Sequence, residues 1–216
     1  MVSAGYRRPP SETGASLRRM GASCKWLDRG VQCGMQRIAS ALVVVVPEAE
    51  ALVGAFRAKY DPSAAVGMPA HITLLFPFLQ PDEFDVNMQD ELRACFAGFP
   101  RFHFSLTAIR QFRPSVLYLA SEPDAPFREI TRAIWDRHPQ TPPYGGEFAD
   151  TVPHLTVAQM GGREQLAPVA EAFTQACEGK LPIRANAAEV ALMENRSGRW
   201  QVRSVFALAD CERPQS

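Results

Sequence analysis

Residues 69–76 read P-A-H-I-T-L-L-F, and residues 153–157 read P-H-L-T-V. Both stretches contain a histidine, an apolar residue, a threonine and a second apolar residue, with a proline one or two residues upstream. The chain has only four histidines, so half of them share one short pattern. Either strand-forming sequence produces this coincidence, or a duplication has placed half of one site in each copy.

Turn residues divide the sequence from residue 38 onward into segments whose apolar spacing predicts strands and helices. The predicted strands are 41–46, 70–76, 101–109, 116–120, 152–158, 183–193 and 200–209, and the predicted helices are 48–60, 82–97, 125–137 and 163–177. The order strand, helix, strand, helix, strand therefore occurs twice. His71 lies 29 residues before Pro100, and His154 lies 28 residues before Pro182, which supports a duplication.

The repeated order predicts an α/β fold of the α+β kind with two similar lobes. We expect two mixed or antiparallel sheets with outer helices around a central cleft. A chain of 216 residues suits one domain. We expect that domain to span residues 38–210, with lobes that are not separable in sequence, between an extension 1–37 and a tail 211–216.

The extension differs in charge from the rest of the chain. Residues 1–37 contain seven basic and two acidic residues, a net charge of +5, which leaves −5 for residues 38–216. The extension is predicted to be disordered; a transit segment is the alternative, and Met35 is an alternative start. A negatively charged domain does not coat long nucleic acids. Any phosphate is therefore expected to bind at a local site, as a small or terminal group.

Five cysteines, an odd number without C-x-x-C spacing, indicate neither a zinc site nor a disulfide framework, which is typical of a cytoplasmic protein. No apolar run approaches 18 residues, so we expect no membrane partner. Nothing in the sequence implies a protein partner, and we expect a monomer.

Residues i and i+2 of a strand point to the same face, so His71 and Thr73 project together, as do His154 and Thr156. Two lobes related by an approximate twofold axis would bring these four side chains into one cleft. One imidazole could remove a proton from a nucleophile and the other could donate one to a leaving oxygen. The threonine hydroxyls could donate hydrogen bonds to phosphate oxygens. This set suffices to cleave a phosphodiester without a metal ion.

A single H-x-T or H-x-S pattern in a strand is weak evidence, because a polar strand face also produces it. H-F-S at residues 103–105 fits the pattern too, but the second copy has no histidine at the corresponding place. We therefore expect His103 to be solvated or at the cleft edge. His138 follows a predicted helix, where the helix dipole favours a cation.

The motifs H-I-T-L at His71 and H-L-T-V at His154, in a duplicated α/β chain, resemble those of the two-histidine (2H) phosphoesterase superfamily. The flanking G-M-P-A-H-I-T-L-L-F-P-F and P-P-Y-G-G before V-P-H-L-T-V are similar to the bacterial 2′-5′ RNA ligase family. This resemblance implies a bilobal fold, metal-independent action on 2′,3′-cyclic phosphates or 2′-5′ linkages of RNA, and no cofactor. It implies catalytic roles for His71, Thr73, His154 and Thr156.

Other side chains are candidates for substrate binding. Tyr144 and Phe78 flank the motifs and could stack on a nucleobase, or could simply pack within the protein. Arg110 and Arg113 follow the third strand and could neutralise a phosphate, or could be ordinary surface charges. We expect Trp200 to lie in the core.

The leading hypothesis is a phosphoesterase whose partner is an RNA end, an oligonucleotide or a small cyclic phosphodiester. It would hydrolyse 2′,3′-cyclic phosphates, and the same site could join 2′-5′ ends weakly. A non-catalytic nucleotide- or phosphate-binding module with the same fold is the first alternative. A metal enzyme is the second, and it is disfavoured because carboxylate or cysteine ligands do not accompany the motifs.

Overall fold

A computed structural model of the chain describes residues 39–112, 114–147, 151–160 and 163–210. The predicted extension 1–37 and tail 211–216 lie outside the described residues. Within these ranges the strands are β1 (Ser40–Val45), β2 (His71–Leu75), β3 (Phe102–Phe112), β4 (Val116–Glu122), β5 (His154–Gln159), β6 (Ile183–Ala187), β7 (Glu189–Glu194) and β8 (Gln201–Ala207). The helices are α1 (Pro47–Tyr60), the single turn α2 (Pro62–Ala65), α3 (Val86–Phe96), α4 (Ala125–Arg137) and α5 (Arg163–Ala176).

The expected α/β fold with outer helices is confirmed, and the predicted elements are present with shifted ends. The predicted strand 183–193 is divided at Ala188 into β6 and β7. The predicted helix 82–97 begins with a 3₁₀ turn, Pro81–Glu83, and continues as α3. Asp85 caps α3, because its side chain accepts a hydrogen bond from the backbone N–H of Met88.

The strands form one eight-stranded sheet in the order β6-β3-β4-β5-β2-β1-β7-β8. The pairings between the described strands are all antiparallel, and the parallel contact is an isolated bridge between Pro100 and Ala209. Strand β6 lies at one edge, yet only Ala188 separates it from β7, near the other edge. The sheet must therefore curl strongly, as an open half-barrel does.

The two copies exchange their third strands. Strand β3, from the first copy, pairs with β4 of the second, and β7, from the second copy, pairs with β1 of the first. The copies also exchange helices. Helix α1 packs on β5, whereas α4 packs on β2, where Thr131 Oγ1 donates to the Leu74 carbonyl at 3.0 Å.

Alternation along the strands divides the sheet into an apolar and a mixed face. Leu42, Ile72, Leu119 and Leu155 are completely buried under the helices. Complete burial of each such side chain contributes about 1.5–3 kcal/mol to the free energy of folding. Because the helices cover this face, the side chains at the intervening positions lie on the concave side of the curl.

Among the described residues, none of the helices combines the length and the apolar character needed to cross a membrane.

Candidate active site

The two motifs meet where the copies join. Strands β2 and β5 pair antiparallel, with Ile72 opposite Leu155. This register places His71 across from Thr156 and Thr73 across from His154, because partners in an antiparallel pair run in opposite directions. Ile72 and Leu155 are completely buried, whereas the four motif side chains on the other face are partly exposed. The predicted convergence of the two motifs is therefore present, through adjacent strands of one sheet.

Each motif orients its imidazole in the same way. The Nδ1 atom of His71 lies 2.8 Å from the Pro69 carbonyl oxygen, and the Nδ1 atom of His154 lies 2.7 Å from that of Val152. A carbonyl oxygen only accepts, so Nδ1 carries the proton in both rings. The neutral rings therefore keep the Nε2 lone pair free for an external proton.

A buried charge pair lies next to His71. The Arg57 guanidinium of α1 contacts the Asp61 carboxylate at 2.7 Å, and both side chains are buried. Burial, followed by the positive charge of Arg57, lowers the pKa of His71 to about 4, although the Pro69 hydrogen bond and the charge of Asp61 oppose the change. The imidazole of His71 is therefore neutral at pH 7 in the unliganded protein.

Aromatic rings surround His154 instead. The rings of Phe112 and Tyr118 stack on each other with centroids 4.1 Å apart. Both contact the His154 ring edge to face, with centroid distances of 4.9 and 5.1 Å. Burial lowers the pKa of His154, and its hydrogen bond to Val152 opposes that change.

Sequence analysis did not identify Phe112 and Tyr118 as neighbours of the site. Tyr118 lies on a strand whose sequence is almost continuously apolar. Such a run does not indicate on which face of the sheet a given side chain lies. Tyr118 pairs with Thr156 on one side and with Arg110 on the other. The register alone therefore places it on the same face as the motifs.

Arg110 belongs to this face. Its side chain is exposed. Burial raises the pKa of Tyr118, and the positive charge of Arg110 opposes that change. The predicted candidate Arg113 lies outside the described residues.

The two predicted stacking residues have different outcomes. Phe78 is 4% exposed, and its ring packs against those of Phe84 and His138. The prediction that Phe78 stacks on a nucleobase is therefore wrong, because core side chains cover its ring. Tyr144 is half-buried and has a positive φ of 51°, and its N–H donates to the Phe76 carbonyl at 2.7 Å. That bond attaches the loop before the second motif to the end of the first.

The other singled-out residues lie away from the motifs or at their margin. His103 is exposed on β3, as expected. His138 ends α4, but it is buried, and burial lowers its pKa, which opposes the cation that the helix dipole favours. Trp200 is only partly buried; it contacts Phe76 edge to face and packs against a small apolar cluster on the motif-bearing face.

In the part of the chain that the structure describes, no group of three or more histidine, cysteine, aspartate or glutamate side chains is arranged to bind a metal ion. The chemical groups that meet at the motifs are two imidazoles and two hydroxyls, and the guanidinium of Arg57 lies next to His71.

Comparison with known proteins identifies relatives. A family model described as the 2′-5′ RNA ligase superfamily matches residues 45–199. A curated protein of Geobacillus kaustophilus, described as a phosphoesterase, is 29% identical over an alignment of 111 residues that covers 48% of this chain. The chain spans only 58% of the length of that relative.

Solved structures share the fold. E. coli LigT in complex with 3′-AMP has a TM-score of 0.50 at 15% identity, and the match covers 79% of this chain and 98% of LigT. A Thermus thermophilus protein has a TM-score of 0.50 at 19% identity, over 81% of this chain and all of its own.

The family match covers well over half of the chain and spans both motifs. The resemblance stated from the motifs is thereby confirmed: the chain belongs to the 2′-5′ RNA ligase superfamily, whose members are two-histidine phosphoesterases.

Proposed function

We propose that this protein is a metal-independent phosphoesterase that acts on RNA-type phosphodiesters. Its main reaction is the hydrolysis of 2′,3′-cyclic phosphate ends. The same site joins RNA ends weakly when a 5′-hydroxyl takes the place of water, so that its oxygen bonds to phosphorus, the bond from phosphorus to the 3′ oxygen breaks and a 2′-5′ linkage forms. The observation that carries the proposal is the β2–β5 register, which sets each histidine across from the threonine of the other motif. Family membership supports the same class of reaction, and so does the 3′-AMP bound to LigT.

The two imidazoles divide the proton transfers. The Nε2 atom of one histidine removes a proton from water, whose oxygen bonds to phosphorus. The bond from phosphorus to the 2′ or 3′ ribose oxygen breaks, and the Nε2–H of the other histidine protonates that oxygen. Water is consumed, a monoester forms, and proton exchange with solvent restores both rings. In the unliganded protein burial disfavours both imidazolium ions, so the phosphate anion would supply the charge that stabilises the acid.

The threonine hydroxyls and Arg110 would bind the phosphate. Thr73 and Thr156 each lie across from a histidine, where a hydroxyl can donate to a non-bridging oxygen. Arg110 lies two strands from β5, next to Tyr118, and its exposed guanidinium can reach a phosphate or its neighbour in an oligonucleotide. Phe112, Tyr118 and Tyr144 provide aromatic surface for a base or ribose.

Hydrolysis of the four nucleoside 2′,3′-cyclic phosphates in the presence of EDTA tests the proposal. The wild type is compared with the double variant His71→Ala/His154→Ala, and His103→Ala is the matched control because that imidazole is exposed on β3. Turnover by the wild type and the control, but not by the double variant, is the expected result. The position of the product phosphate identifies the leaving oxygen.

Three results would contradict parts of the proposal. Activity that EDTA abolishes and a divalent ion restores would indicate a metal enzyme. Activity retained by the double variant would remove the histidines from the mechanism. Binding of the cyclic phosphates and 2′-5′ oligonucleotides without turnover would favour the non-catalytic binding module.

A further inference from the structure

Arg57 is a charged side chain at a position that should be apolar. It is 1% exposed and is one of the largest completely buried side chains among the described residues. It continues a buried stripe of α1 that also includes Ala49 and Val53, at intervals of four residues. Burial lowers the pKa of the guanidinium, which reflects the cost of removing this cation from water. An alkyl side chain would fill the volume without this cost.

The guanidinium contacts the backbone that precedes the first motif. Its Nη2 atom donates to the carbonyl oxygens of Met68 at 2.9 Å and of Pro69 at 3.0 Å. The Pro69 oxygen is the same atom that accepts the Nδ1 proton of His71 at 2.8 Å. Arg57 and His71 therefore share one acceptor, and the position of that acceptor sets the direction of the imidazole.

The same guanidinium contacts the second motif. Its Nη1 atom donates to the Thr156 carbonyl at 2.8 Å. Strands β2 and β5 are otherwise joined through a single residue pair, Ile72 with Leu155, whereas β1 and β2 are joined through four. Arg57 thus adds a second connection at the shortest pairing of the sheet, where the two halves of the site meet.

The charged groups around His71 form a fixed set. Asp61 contacts Arg57, and Asp61 Oδ1 accepts from the backbone N–H and hydroxyl of Ser63 at 2.9 and 2.8 Å. Glu50, also on α1, accepts from the N–H of Ala70 at 3.2 Å. His154 faces His71 from β5, and a positive charge on His154 acts to lower the pKa of His71. Arg57 is the cation of this set and is directly bonded to the acceptor of His71.

We propose that Arg57 is a positioning residue that orients His71 through the Pro69 carbonyl and fixes the second motif against the first through the Thr156 carbonyl. The inference rests on the proposed phosphoesterase function, since that reaction requires both imidazoles at one phosphate. A cation on the Nδ1 side of His71 also opposes its protonation, whereas His154 has aromatic neighbours. His71 is therefore the general base, and His154 is the general acid.

The test begins with a measurement that does not depend on activity. Nitrogen-15 NMR of the four imidazoles is recorded against pH for the full chain and for Arg57→Lys, Arg57→Met and Asp61→Asn. Arg57→Met should raise the pKa of His71 from about 4 and weaken its Nδ1–H tautomer, because the cation and the fixed acceptor are lost. Asp61→Asn should lower the pKa further. His154, whose acceptor is Val152, is the internal reference and should change less.

The second measurement is the pH profile of cyclic-phosphate hydrolysis. Arg57→Met should reduce kcat by about 10²-fold, since a small misplacement of a catalytic group has that cost. The acid limb of kcat/KM should move to higher pH, and KM should change little. Arg57→Lys should keep the acid limb near that of the wild type but recover only part of kcat, because one ammonium does not match the planar two-nitrogen fork.

The outcomes separate the two proposals. If Arg57→Met does not fold, as judged by circular dichroism, Arg57→Lys and Asp61→Asn carry the comparison. An unchanged His71 pKa and tautomer in every folded variant would overturn the positioning role, whatever the activity. If His71 titrates differently in the variants, but the wild type hydrolyses neither cyclic phosphates nor 2′-5′ oligonucleotides, the positioning of His71 would be supported and the phosphoesterase function would be overturned instead.

Discussion

The two histidines have the same local geometry in different surroundings. Each donates Nδ1–H to a carbonyl two residues upstream, so each presents Nε2 on the concave face. Around His71 the neighbours are charged, namely Arg57 and Asp61, whereas around His154 they are the rings of Phe112 and Tyr118. The duplicated motif therefore fixes the orientation of the imidazole, and the side chains around it, which for His154 come from both copies, set its protonation. Two roles can thus come from one repeated unit.

The largest expected effect comes from removing one imidazole at a time. His71→Gln and His154→Gln should each reduce kcat on a 2′,3′-cyclic phosphate by about 10²–10⁴-fold, because each removes one proton transfer. With His71 as the proposed base, its loss should remove the acid limb of kcat/KM, which is expected near pH 4 in the wild type. His154→Gln should remove the alkaline limb.

The pH profiles decide this prediction. His103→Gln is the control for the substitution itself and should leave both limbs in place. An acid limb that survives in His71→Gln but disappears in His154→Gln would reverse the two roles.

The two threonine hydroxyls should contribute about equally to kcat. Thr73→Val and Thr156→Val keep the shape of the side chain but remove the proposed donor to the phosphate, and each should lower kcat by about 10²-fold. Single-turnover and steady-state rates on the same substrate measure this. Thr174→Val on α5 is the matched control, and its hydroxyl donates to the Ala170 carbonyl. A rise in KM without a change in kcat would show that the hydroxyls only bind substrate.

Phe112→Ala tests whether burial, rather than charge, controls His154. Removal of the Phe112 ring exposes one side of the His154 imidazole to water. The pKa of His154 should therefore rise toward its ordinary value, while the pKa of His71 stays low. Loss of a stacking surface should also raise KM by about tenfold. Tyr118→Phe, which keeps the ring, is the control. If the pKa of His154 does not change in Phe112→Ala, the aromatic pair does not account for its burial.

The smallest effect is expected for Arg110, which extends the His154 side of the site. Arg110→Ala should raise KM for a cyclic phosphate about fivefold at low salt, the size of one exposed charge interaction. The difference from wild type should shrink as ionic strength increases. Arg132→Ala is the control, since this exposed arginine of α4 pairs with Asp136. Equal effects of the two substitutions would assign Arg110 to nonspecific surface charge.

Local sequence predicted the elements and the convergence of the motifs well. β-branched runs, helix-ending glycines and the i, i+2 geometry of strands depend on near neighbours in the chain. The pairing of β7 with β1 joins residues 148 to 154 positions apart, and the pairing of β6 with β3 joins residues 77 to 85 positions apart. A single sequence carries little information about pairings over such separations. The continuous antiparallel sheet therefore appeared only in the structure.

The same contrast holds for individual side chains. Phe78 follows the first motif, which left both stacking on a nucleobase and packing within the protein open, and the chain turns inward there and buries its ring. Arg57 was missed because an arginine in a helix usually lies at the surface. Its spacing of four and eight residues from Val53 and Ala49, which are both buried, was the available signal.

The exchange of third strands also determines what a half of this protein could be. A fragment ending near Phe112 would contain β1 without β7 at its side and β3 without β4. Each half would therefore expose unpaired strand edges whose natural partner is the other half. Separate halves are consequently complementary pieces of one fold, not miniature domains, and an ancestral single copy with this topology could have completed its sheet by pairing with a second copy of itself.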